Sequence, residues 1–397
     1  MFQVDERGNH SQLANLRLTQ PHGCVLEWSG HCPWPLIGQE QEGRFEGLPY
    51  FLQDLWPEGF LGQAFARAYG PLLGLAPDPG EWTDEDALLA LSRFGADAVG
   101  NQIIGSAALE LYLDGKRNPR QPLTESDVAA AYTRLADMAM ASARSKAIVP
   151  GVFPKFSASR AVDDTCLHVL VKFSGSEDSP SSRRWADLLV CEHLASRVLQ
   201  EFGIPAAETR IVQHAGWTFL ESVRFDRHEA HGRSAVCSWA AINYAWLGLP
   251  GKTWTEGATA LLARGLIEPT VVETLAQVWC FGKLIANSDM HDGNLSFKPH
   301  RIGSQRGFQL APIYDMLPMQ YAPVRGQVPL VSFEPAQLSP SSPAEQAAWA
   351  DAAVAALRLW DTAARDPRIS TDFRAVCAEN RDRVYRAIQV VGGAARA

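Results

Sequence analysis

The run CLHVLVKF, residues 166–173, places a lysine inside a strand. Its alternation puts Leu167, Val169, Val171 and Phe173 on one face and Cys166, His168, Leu170 and Lys172 on the other. An ammonium in such a strand must reach water along its aliphatic stem or meet a carboxylate. The next periodic segment predicts a helix over about 185–202, with Trp185, Leu188, Leu189, Leu199 and Phe202 on its apolar stripe and Glu192 on that same stripe. A Lys172–Glu192 pair between strand and helix would satisfy both charges. A strand-end lysine and a glutamate bound to any nearby arginine would satisfy each separately. The tract SGSEDSPSSRR, 174–184, between them reads as a solvated loop.

Around this pair the chain divides into a β-containing first half and a helical second half. Residues 20–60 mix short extended runs with Gly and Pro, which indicates small β-rich structure. Thr83 with Asp86, and Thr124 with Asp127, have the spacing of helix N-caps with an acidic N3 residue. The stretch 143–157 breaks helicity before the lysine strand. Beyond it, ETRIVQ and WTFLES predict two strands, 271–286 a helix, 295–313 a strand pair, and 344–364 and 370–391 two further helices. The expected division is 1–142, 143–227 and 228–397.

With 397 residues, 46% of them hydrophobic, the chain can bury roughly three-quarters of its unfolded surface. No run approaches the ~20 apolar residues of a spanning helix, so no membrane role is expected. The start, MFQVDERGNH, lacks the pattern of a secretion signal. Seven scattered cysteines without a CxxC pair fit free thiols in a reducing cytosol, and the expected location is cytoplasmic. A net charge of −8 and no basic tract argue against direct nucleic-acid binding.

The turn after the 271–286 helix reads Asp289-Met-His-Asp-Gly-Asn294. Its D-x-x-x-x-N spacing is that of a phosphotransferase loop in which Asp orients a hydroxyl and Asn binds Mg²⁺. A polar capping turn uses the same residue types. Asp289-x-His291 also resembles the opening of a metallophosphoesterase site, but the only Gly-Asn-His, Gly8–His10, lies upstream, in the wrong order. Tyr314-Asp315 follows an extended run, where a second metal ligand would stand. Val149-Pro-Gly-Val-Phe-Pro-Lys155 precedes the lysine strand and is a weak phosphate loop: it has one glycine, and its prolines donate no N–H.

The ordered set of strand Lys, helix Glu, D-x-x-x-x-N and Asp, together with FLQDLWPEGFLGQAF, FGADAVGNQ, VPGVFPKF, RFDR, ANSDMHDGNLSF and LAPIYDMLPMQYAP, resembles the HipA-like serine/threonine kinases of bacterial type II toxin–antitoxin systems, in the YjjJ-type branch. The resemblance implies an α+β, protein-kinase-like two-lobed fold with an extra N-terminal subdomain, a β-rich small lobe and a mainly helical large lobe. It implies an ATP- and Mg²⁺-dependent kinase acting on a protein hydroxyl, with a DNA-binding antitoxin repressor as partner. Asp289 would be catalytic, Lys172 would reach the ATP phosphates and Glu192 would steady it. Asn294 and Asp315 would hold Mg²⁺. The nucleotide would lie against Pro150, Gly151, Val152, Phe153, Pro154 and Lys155 of the covering loop and against the hinge residues Val223, Arg224 and Phe225. His291, Asp292, Gly293 and Tyr314 would complete its surroundings. Val152, Phe153 and Val223 depart from the family pattern, and Ile148 stands where HipA has a regulatory serine. A nucleotide-binding but catalytically silent regulator is the alternative expectation.

Overall fold

A computed structural model describes residues 1–19, 23–143, 153–163 and 165–394. Its central sheet is antiparallel, in the spatial order Lys155–Val162, Thr165–Phe173, Trp217–Val223, Thr209–His214. The expected alternation decides how it packs. Val169, Val171 and Phe173 are at most 1% exposed. They face Val128, Tyr132 and Ala136 of the helix Glu125–Ala143 together with Phe156 and Phe219. The opposite face holds Lys172, with Lys155 and Leu220 as its cross-strand neighbours. Against that face lies the helix Pro180–Glu201.

This helix begins five residues before the expected start. Ser179 accepts from the Ser182 amide and Pro180 stands in the first turn, so PSSRR belongs to the helix and not to the loop. Its buried residues are also not confined to one stripe: Asp187, Leu188, Leu189, Val190, Cys191 and Glu192 are all buried. It is sandwiched between the sheet and the helix Pro343–Arg365.

The large lobe is built on the helix Pro269–Leu284, which packs against Pro343–Arg365, itself packed on Thr371–Ala394. The Trp360 indole N–H donates to the Leu284 carbonyl at 3.0 Å, fixing the end of the helix that leads into the Asp289 turn. A hairpin, Ser296–Ile302 with Gln305–Leu310, follows that turn. The N-terminal part holds two three-stranded sheets and the helices Gly59–Tyr69, Asp84–Phe94 and Ser106–Arg117. The predicted cap at Thr83 is a closed capping box with Asp86.

Candidate active site at the lobe junction

Lys172 meets two carboxylates. Its Nζ donates to both oxygens of Glu192, at 2.7 and 2.8 Å, and forms an ion pair with Asp315 from the other lobe. Lys172 and Glu192 are only 6% and 3% exposed. Burial alone would push the ammonium down, but Asp315 and Glu192 outweigh it and hold the lysine charged. Burial raises the Glu192 carboxyl to about 6 against the pull of Lys172, and Asp315, a second anion on the same cation, adds to the rise. Asp315 stays below its ordinary value despite burial, held down by Lys172 and then Lys155.

Lys155, expected in the covering loop, is the first residue of a strand and lies directly across from Lys172. Burial and the neighbouring Lys172 charge both lower its pKa. Among the described residues it forms no ion pair within 4.0 Å. Two ammonium groups thus share one face of the sheet beside two carboxylates. Phe153 closes this corner: its ring centroid lies 5.7 Å from the Lys172 Nζ and 4.5 Å, edge-on, from Trp185. The Pro154 carbonyl accepts from the Phe173 amide at 3.2 Å. Pro150, Gly151 and Val152 lie outside the described residues.

The Asp289 turn is built by side chains that hold its backbone. The helix Pro269–Leu284 is capped by Ile285, and the next residue, Ala286, has φ 58°, a left-handed conformation that prevents the spiral from continuing. Asn287 Oδ1 then accepts from the Asp289 amide at 3.1 Å, while its Nδ2 contacts the Asp315 carbonyl at 3.5 Å. Asn294 Nδ2 donates to the Asp289 carbonyl at 2.9 Å, closing the six-residue turn. His291 Nδ1 accepts from the Gly293 amide, and the Asp292 carboxylate accepts from Asn243 at 2.9 Å. Asp315 itself has φ 61°, a conformation uncommon for a residue with a Cβ and concentrated at functional sites. Burial raises the Asp289 carboxyl above its ordinary value; nearby His291 opposes that and Asp315 adds to it.

Tyr314 ties the turn to the hairpin. Its hydroxyl donates to the Gly293 carbonyl at 3.0 Å and lies 2.8 Å from Ser296 Oγ. Its ring centroid is 5.9 Å from that of Phe225. At the hinge, the Val223 and Arg224 amides donate to the Glu208 and His168 carbonyls, and Lys298 donates to the Phe225 carbonyl at 3.1 Å. The Arg224 side chain turns towards Asp226 and Asp97 and makes no ion pair with Asp289 or Asp315. The fold therefore gathers Lys172, Glu192, Asp315, Lys155 and Phe153 at one corner, next to the Asp289–Asn294 turn. Sequence reasoning missed Asn287, although an Asn two residues before an Asp is an ordinary turn signal.

The described residues hold no cluster of three His, Cys, Asp or Glu side chains able to bind a metal on its own. None of their helices is long and apolar enough to cross a membrane.

Residues 147–385 match the HipA-like C-terminal domain, and residues 1–113 match the middle domain of YjjJ-like toxins. The toxin YjjJ of Escherichia coli K12 is 35% identical over 390 residues, covering 97% of this chain and 83% of its own length. A chain from the Shewanella oneidensis MR-1 HipA, HipB and operator DNA complex superposes with a TM-score of 0.57 at 14% identity, covering 98% of this chain and 96% of that one. The fold is thus two-lobed and kinase-like. The chain belongs to the HipA-like toxin family, in its YjjJ-like branch.

Proposed function

We propose that this protein is an ATP- and Mg²⁺-dependent kinase that phosphorylates a serine or threonine hydroxyl of a protein. The observation that carries the reading is the convergence of Lys172, Glu192 and Asp315 beside the Asp289 turn. Those residues fit a polyphosphate and a hard divalent cation. Lys155 and Lys172 form a paired cationic wall with only one of them neutralised by ion pairs among the described residues. Asn294 and Asp315 would supply oxygen donors, and Mg²⁺ takes one or two protein oxygens alongside phosphate oxygens rather than an all-protein cage. Bound there, the cation would neutralise charge on the transferring group.

The chain's own residues would do the rest. Asp289, with its carboxyl pushed up by burial, would accept the proton of the attacking hydroxyl as the new phosphorus–oxygen bond forms and the bond to the ADP leaving group breaks. Asn287 and Asn294 hold the backbone on both sides of that carboxylate, so its position is set before substrate arrives. Glu192 fixes Lys172, and Asp315 is held where both lysines face it.

The test is transfer from γ-labelled ATP in the presence of Mg²⁺. Asp289→Asn should lower transfer by ~10²-fold or more, and Asp315→Ala should abolish Mg²⁺-dependent turnover. Undiminished transfer in Asp289→Asn would refute the assignment.

A second reading, a nucleotide-binding but catalytically silent regulator, is favoured by one observation: Phe153 packs against the Lys172 ammonium where phosphate would approach. ATP with Mg²⁺ would then raise the melting temperature by mass action without any transfer. We further propose a DNA-binding antitoxin repressor as partner and a cytoplasmic location. The HipB and operator DNA bound to the structural relative support the first, and the free state of all seven cysteines supports the second.

A further inference from the structure

We propose that the segment Gly95–Asn101 of the N-terminal part positions the nucleotide hinge, with Asp97 and Asp226 as positioning residues that set nucleotide affinity; this rests on the kinase reading above.

Asp226 follows the hinge directly and is 5% exposed. Its carboxylate accepts from Arg224 at 2.9 and 3.1 Å, from Arg227 at 2.6 Å and from the Gly100 amide at 2.9 Å, 126 residues away in sequence. Asp97 pairs with the same two arginines, at 3.4 and 3.0 Å. Arg227 also donates to the Gly100 carbonyl at 2.9 Å. The hinge is therefore held from behind by charges of the N-terminal part and from the large lobe by Lys298 on the Phe225 carbonyl.

A docking contact between subdomains could lie anywhere on their surfaces. This one converges on the carboxylate adjoining Val223–Phe225 and draws the Arg224 side chain away from the nucleotide face. Asp97 and Asp226 face Arg224 and Arg227, the buried Arg233 is a further cation in the field of Asp97, and the Gly100 amide takes a further acceptor site on Asp226. The cluster holds more arginines than carboxylates, so removing Asp97 leaves Asp226 as the one carboxylate paired with both Arg224 and Arg227. Without Asp97, Arg224 and Arg227 would repel each other over the single Asp226 carboxylate, and the hinge backbone would gain freedom that nucleotide binding must then remove.

Asp97 permits a clean test because its side chain is 66% exposed, so its loss opens no cavity. Asp97→Ala should raise the KM for ATP at least about fivefold with kcat at saturating ATP unchanged, and Asp97→Glu should restore it. Asp114→Ala, in an exposed pair with Arg117 on the same part of the molecule, serves as the control and should leave KM unaltered. Amide hydrogen exchange at residues 223–226, measured without nucleotide, should quicken in Asp97→Ala and not in Asp114→Ala. Unchanged KM, or equal loss of kcat, overturns the proposal. If the wild type neither binds nor turns over ATP, the kinase reading fails and hydrogen exchange alone decides: unchanged exchange in Asp97→Ala overturns the clamp as well.

Discussion

Lys172 is one cation shared by two carboxylates, so the consequences of losing a partner are unequal. Lys172→Met would leave Glu192 and Asp315 facing each other in the interior, and breaking a buried pair of this kind costs about 3–5 kcal/mol. Glu192→Gln leaves Lys172 with Asp315 and should cost distinctly less. Urea unfolding of the two variants checks this, and equal losses would show that the charge is not shared. Lys172 and Glu192 were legible in the sequence because each put a charge on an otherwise apolar face. Lys155 was not. Its strand, KFSASRAV, alternates only weakly, Phe156 and Ala158 being followed on that face by Arg160, and its place opposite Lys172 exists only in the cross-strand register. Asp315 could be read as a candidate from its order in the chain, but its left-handed backbone could not.

Among the elements, the helix Pro180–Glu201 does most to join the lobes. Its Asp187 accepts from the Ser370 amide and hydroxyl, both at 2.6 Å, just before the helix Thr371–Ala394. His193, next to Glu192, lies 2.9 Å from the Thr209 hydroxyl, and burial with Arg368 and Arg197 pushes its pKa from 6.5 to about 4. The folded state therefore binds this proton less well than the unfolded chain does. The stability tied to a neutral His193 is complete above pH 6.5 and erodes as pH falls towards 4. His193→Gln should flatten the fall in melting temperature across that window relative to wild type; parallel curves would refute it. The strand Thr165–Phe173 and the helix Pro269–Leu284 were readable from their apolar period. The first turn of the helix Pro180–Glu201 was not, because PSSRR has the composition of a loop and only the Ser-Pro cap marks it.

At the scale of the whole molecule, the long-range contacts were the least legible. FGADAVGNQ and RFDR both stood out as motifs, yet nothing in their spacing shows that Gly100 and Asp226 meet. Only the folded chain brings them together. A fragment beginning at residue 147 should consequently be poorly soluble or unfolded, with Arg227 deprived of Asp97 and of the Gly100 carbonyl. Supplying residues 1–143 in trans should rescue it; a soluble, cooperatively melting fragment would count against the dependence. The two matched segments, 1–113 and 147–385, look like interchangeable modules when written in a line. The shared carboxylate at Asp226 says otherwise. A recombination that exchanged one segment for that of a distant relative would have to carry both halves of the clamp, so the two are expected to be inherited together.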